Sequence, residues 1–201
     1  TKLRSKKSSS IKKHDIEVFN ENNSHEIFAM TQKISITLLL CLITGCASTY
    51  KHSQQHSLHT WIDPSKGVLI SVPNDGSYGN TQYHQSGDMT ANAIRTAFSK
   101  KTKKADVTKE CKDNECLNTI NTEKYGYYIK PTILHWEDRA TEWSGIPDRI
   151  EIRLIVFDAV TKEKLYDSSY TGKSKWATFG GDHPQDLLPE PTNEFVSNLY
   201  R

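Results

Sequence analysis

The chain holds little that names a chemistry. Of its 201 residues four are cysteine, two are methionine and 9% are aromatic, and 26 basic side chains nearly cancel 24 acidic ones. Even that small positive excess sits at one end. Seven Lys and Arg and four Asp and Glu fall within residues 1–45, which leaves 19 basic and 20 acidic residues beyond them. A near-neutral chain without a clustered basic face has no electrostatic reason to bind nucleic acid. The most apolar run is Ile34 to Thr44, 11 residues, well short of the roughly 20 that span a bilayer. Gly76, Gly79 and Gly87 match neither the GxGxxG nor the P-loop spacing, and Asp75 and Asp88 would repel an anion, which excludes a phosphate cradle. The Cys-x-x-Cys redox spacing is missing, and no Ser or Cys sits in a nucleophile motif. Nothing implies a cofactor or a metal.

What is present begins with an address. Met30-Thr31-Gln32-Lys33 supplies a start and a positive charge, and Ile34 to Thr44 an apolar stretch of signal-peptide length. Ile43-Thr44-Gly45-Cys46 then resembles the lipobox of bacterial lipoproteins, which implies diacylation of Cys46 and cleavage before it. A buried apolar helix ending in Gly-Cys competes with that reading, but charge, run length and small residues all agree on export. Several acyl chains anchor far better than one, each buried methylene contributing about 0.8 kcal/mol. Ala47 in place of an aspartate implies, by the same resemblance, transfer to the outer membrane.

The expected organisation is therefore residues 1–29 as a non-native or disordered upstream extension, 30–45 as signal peptide, 46–66 as a lipidated tether and 67–201 as a single globular domain. The tether is rich in Ser, Gln, His and Thr. His52, His56 and His59 would share a face if it were helical and could then ligate a metal, but nothing nearby nucleates a helix, so a solvated linker is preferred. Trp61-Ile62-Asp63-Pro64 marks where the chain docks on the domain. In an oxidising compartment Cys111 and Cys116 are expected to form a disulfide that pins their loop, because zinc would need two further ligands.

Within the domain, Gly67 to Pro73 reads as a buried strand and residues 74–87 as a long loop. A helix follows to about Lys101, capped by Ser86 or Asp88, with Met89, Ala93, Ala97, Ile94 and Phe98 inward. Ala105 to Thr108 is a short strand, and Asn114 to Lys124 a short helix using Leu117 and Ile120. Tyr127 to Trp136 is a strand in which Pro131 suggests an edge or bulge. Arg149 to Asp158 places Ile150, Ile152, Leu154 and Val156 inward, and Lys164 to Trp176 places Tyr166, Tyr170 and Trp176 on one face. The tight turn between these last two makes them antiparallel. A helix from Thr192 to Tyr200 closes the chain on Phe195, Val196 and Leu199. The fold class is thus α/β of the α+β type: one domain with a mixed, largely antiparallel sheet of about five strands and helices packed on it, in the order β-α-β-α-β-β-β-α.

That order, with Tyr127-Tyr128-Ile129-Lys130-Pro131-Thr132-Ile133-Leu134 and the strand from Ile150 to Thr161, resembles in layout the TolB amino-terminal and curli-secretion lipoprotein type of domain. Residues 136–148, WEDRATEWSGIPD, and 180–191, GGDHPQDLLPEP, resemble an uncharacterised family of bacterial lipoproteins with a domain of unknown function. The resemblance implies no established activity.

Candidate ligand- or partner-binding residues are Tyr78, Tyr83, Trp136, Glu137, Asp138, Arg139, Glu142, Trp143, Asp182 and His183. Carboxylates between tryptophans are what a sugar-binding or glycosidase cleft uses, and Asp148 belongs to the same set. A strand-to-strand loop with solvated charges and one or two tryptophans folded onto the sheet is the preferred reading of residues 136–148, and His183 has no nucleophile to serve. Two functions survive. The preferred one is a non-enzymatic binding, assembly or regulatory module, lipid-anchored to the outer membrane and facing the periplasm, contacting an envelope protein or polymer through residues 74–87 and 136–148. The other is an envelope polysaccharide hydrolase using Glu137, Asp138 or Glu142. Oligomeric state is open.

Overall fold

The computed structural model describes residues 48–57, 60–139, 145–175 and 183–201, of which 55–57 are described as backbone only. Three long strands dominate: β6 (Tyr127–Glu137), β7 (Arg149–Asp158) and β8 (Lys164–Lys173). Their alternation sets the pairing. Ile129 lies opposite Val156, which lies opposite Tyr166, and Ile133 opposite Ile152, which lies opposite Tyr170. The result is one apolar stripe across three antiparallel strands, with Ile150, Ile152, Leu154 and Val156 all essentially inaccessible. Each such side chain contributes about 1.5–3 kcal/mol on burial. Between β7 and β8, the Asp158 carboxylate accepts the N–H groups of Val160 and Thr161 at 2.8 and 2.9 Å, which closes the turn.

β2 (Val68–Ser71) runs parallel to both β6 and β5 (Ala105–Thr108), and the parallel step is made through helix α1 (Ser86–Phe98). Pro131 falls just past Ile129, where pairing with β2 ends, so this proline occupies a locally open edge of an interior strand. α1 buries Ala91, Ile94, Ala97 and Phe98, while Met89 and Ala93 are only half-buried. The inward stripe is thus rotated from the expected Met89-Ala93-Ala97 row to one through Ala91, Ile94 and Phe98. Its cap also differs. Gln85, not Ser86 or Asp88, is the cap residue, and the waiting N–H groups of Gln85 and Gly87 are accepted by the distant Asp75 carboxylate at 3.2 and 2.9 Å. Ser86 Oγ instead accepts the Gly76 N–H at 2.8 Å.

Helix α3 (Pro189–Leu199) begins three residues earlier than expected, since Pro189 and Pro191 sit in a first turn that needs no N–H donors. It packs Phe195, Val196 and Leu199 into the core, and its Thr192 hydroxyl meets Tyr170 Oη at 2.8 Å. The docking point holds: Ile62 is buried and donates its N–H to the Leu199 carbonyl at 3.0 Å.

Further expectations are corrected. The stretch read as tether is not linker throughout, because Thr49–Ser57 forms strand β1, antiparallel to β8, with His52 opposite Tyr170. The main sheet therefore has six strands, ordered β1-β8-β7-β6-β2-β5, rather than about five. β1 is polar because it lies at an edge, so no apolar alternation announced it. Nor is it a helix, so the helical face weighed and set aside for His52 and His56 does not form. In residues 74–87 a small ribbon forms from β3 (Ser77–Tyr78) and β4 (Thr81–Gln82).

On the sheet face away from α1 and α3, Cys111 and Cys116 are joined as expected, with Cα atoms 5.2 Å apart. Cys116 and Leu117 cover Tyr128, whose Oη lies 2.8 Å from both Ser71 Oγ and the Asp113 carbonyl. The helix here is one turn, α2 (Cys116–Thr119), after a 3-10 turn at Asp113–Glu115, and not the longer 114–124 helix expected. Asn121 ends it by accepting the N–H groups of Glu123 and Lys124. Cys46 and Trp176 lie outside the described residues.

Candidate functional site

The end of β6 carries a bulge. Ile133 faces Ile152, but His135, not Leu134, faces the next residue, Glu151. The extra residue inverts the alternation beyond it, so Ile133 and Trp136 both turn to the helix side while His135 and Glu137 share the opposite face. Trp136, a candidate binding residue, is 2% exposed and belongs to the core, so it is a tryptophan folded onto the sheet and not an aromatic platform. Gly76 is what allows this: a Cβ there would stand 2.5 Å from Trp136 Cβ and 2.8 Å from Ile133 Cγ2.

The inverted face builds a compact polar cluster. Glu137, 5% exposed, accepts from Arg139 Nε at 2.5 Å and meets His135 Nε2 at 2.9 Å. Burial pushes the Glu137 carboxyl up, but hydrogen bonds and charges of His135 and Arg139 outweigh it and hold the group below the ordinary glutamate value. The Glu137 hydrogen bond in turn raises Arg139. The Arg139 guanidinium lies 5.0 Å from the Tyr78 ring centroid, and that ring, on a residue 41% exposed, meets His135 edge-on at 5.1 Å. Residues from 74–87 and 136–148 thus come together through Tyr78, Glu137 and Arg139.

The other candidates separate. Asp148 is fully buried as a loop anchor: its carboxylate accepts the Arg139 N–H at 2.5 Å, and its own N–H donates to Ser174 Oγ at 2.9 Å. Asp138 is exposed and faces His183 Nδ1 at 3.7 Å. The backbone N–H of His183 donates to Asp186 at 2.9 Å. Tyr83 packs half-buried on the main core. Glu142, Trp143 and Asp182 lie outside the described residues. His135 was missed, although His135 and Glu137 two apart on a strand could have signalled it. Among the described residues no three His, Cys, Asp or Glu side chains are grouped to hold a metal ion. No helix among them is long and apolar enough to cross a membrane.

A six-stranded mixed sheet, with α1 and α3 on one face and the short α2 on the other, defines an α+β domain that carries an aromatic-cation cluster at the end of its longest hairpin. The chain belongs to the family described as domain of unknown function DUF4823, whose model matches residues 61–199. No curated protein matches it. Among solved structures, it is similar to the PelC dodecamer from Paraburkholderia phytofirmans at 10% identity and TM-score 0.52, over 77% of this chain and 99% of that one. A DUF330 protein from Xanthomonas campestris is similar at 14% identity and TM-score 0.46, over 70% of this chain and 86% of that one. Lipoprotein GNA1162 from Neisseria meningitidis is similar at 10% identity and TM-score 0.41, over 67% and 97%. The first of these likenesses establishes the fold; the other two are too partial to bear on it.

Proposed function

We propose that this chain is an outer-membrane-anchored envelope lipoprotein whose domain acts as a non-enzymatic binding or assembly module, with Tyr78 and Arg139 at the contact surface. The observation that carries this is the Arg139 guanidinium held between the buried, ionised Glu137 and the exposed Tyr78 ring. Tyr and Arg presented rigidly are the residue types that dominate binding hot spots. The lipobox-like Ile43-Thr44-Gly45-Cys46 supports the address. The PelC chain it resembles is a dodecamer, which supports assembly with further copies as a use of this fold. His135 and Arg139 hold Glu137 below the ordinary glutamate value, which does not suit it to act as the general acid of a hydrolase, a group that must be protonated at working pH.

The test is crosslinking and pull-down from the native envelope, comparing wild type with Tyr78→Ala and Arg139→Ala. A specific partner recovered with wild type should be lost with both variants while circular dichroism stays unchanged. Equal recovery from all three would refute the surface. Envelope polysaccharide turnover abolished by Glu137→Gln would favour the hydrolase.

A further inference from the structure

The sixth strand has a consequence of its own. Between β1, β8 and α3 lies an open cleft of about 370 Å³. That volume lies within the range of small-ligand pockets, roughly 300–1,000 Å³. Its lining is unlike the Tyr78–Arg139 surface. Trp61 offers an indole 53% exposed. His52 Nε2 and Glu194 Oε2, one from β1 and one from α3, meet at 3.1 Å, and Gln54 and Asn198 add amides while Phe195 adds an apolar patch.

We propose that this cleft binds an uncharged sugar unit of a glycan. An exposed indole face takes the C–H side of a pyranose ring, an amphipathic surface matched by an amphipathic side chain. The amides and the Glu194 carboxylate take its hydroxyls as acceptors and donors, and the His52 contact holds that carboxylate in place. Among the described residues no Lys or Arg lines the cleft, so an anionic ligand would meet Glu194 uncompensated except by His52. A purely apolar ligand would strip water from four polar side chains without replacing their hydrogen bonds. The site is separate from the Tyr78–Arg139 surface and does not depend on the function proposed for it.

Isothermal titration and saturation-transfer NMR of the full chain with chitotetraose and with cellotetraose test this. At least one should bind saturably, with the strongest transfer to ring C–H protons. Trp61→Ala should weaken it on the order of tenfold or more, Asn198→Ala should weaken it less, and Tyr78→Ala should leave it unchanged. If Trp61→Ala does not fold, Asn198→Ala on the exposed side of α3 carries the comparison. No binding at millimolar sugar, or binding indifferent to both cleft substitutions, overturns the proposal.

Discussion

Asp167 shows how one residue ties its fold to pH. It is 1% exposed on β8, gripped by Arg153 Nε and Nη2 at 2.7 Å each and by Lys164 Nζ at 2.9 Å. Hydrogen bonding from Arg153, against the cost of burial, holds its carboxyl down at about 2 from an ordinary 3.8. A depressed carboxyl contributes stability that is fully present above its unfolded value and is lost as pH falls through the folded one. Urea midpoints of wild type should therefore drop between about pH 4 and pH 2. Asp167→Asn should be about 1–3 kcal/mol less stable at pH 7, with a shallower acid limb that approaches wild type near pH 2. Parallel acid limbs would show that Asp167 does not set it. The candidate site teaches the complementary point. Tyr78, Glu137 and Arg139 were legible as residue types suited to binding. A tryptophan folded onto the sheet was legible too, but that it is Trp136, and that Glu137 is held ionised, were not, because both follow from a bulge at Leu134 that no local pattern marks.

At the scale of elements, α1 is held by a cap that lies 12 residues before Gly87, the second N–H it satisfies. Asp75→Ala should lower stability by about 1–2 kcal/mol, read as a reduced urea midpoint with an unchanged slope, and Asp75→Asn should recover part of it. An Asp75→Ala protein as stable as wild type would mean that water serves these donors equally well. The apolar elements β6, β7, β8, α1 and α3 were readable from alternation and from the 3.6 period within a few residues. β1 was not, since an edge strand with polar residues carries neither signal. α2 was overestimated because Asn121 offers the chain an Asx turn in place of another helical turn.

For the whole molecule, the domain and its address are separate properties. Cys46 lies outside the described residues, so its role is tested in the cell. Expressed with its upstream sequence in an envelope-bearing host, the protein should partition with membranes, and Cys46→Ser should move it to the soluble periplasmic or uncleaved precursor fraction. Mass spectrometry of the membrane form should find acylated Cys46 as the first residue. Membrane association unaffected by Cys46→Ser would remove the lipid anchor from the functional reading while leaving the domain's surfaces as described.

The sequence by itself determined the long strands, the antiparallel pairing of the last two, the two amphipathic helices, the disulfide partners and membership of an uncharacterised family. These depend on residues near each other in the chain, where side-chain period and spacing act directly. Only the tertiary structure decided that Thr49–Ser57 pairs with β8, that Asp75 caps α1, and that Trp136 turns inward while His135 and Glu137 turn out. Each requires groups far apart in sequence to supply hydrogen bonds or space, and their partners become known only when the sheet is assembled. The cleft at β1 has the same origin: it exists because one polar strand, β1, joins the sheet beside β8 and faces α3.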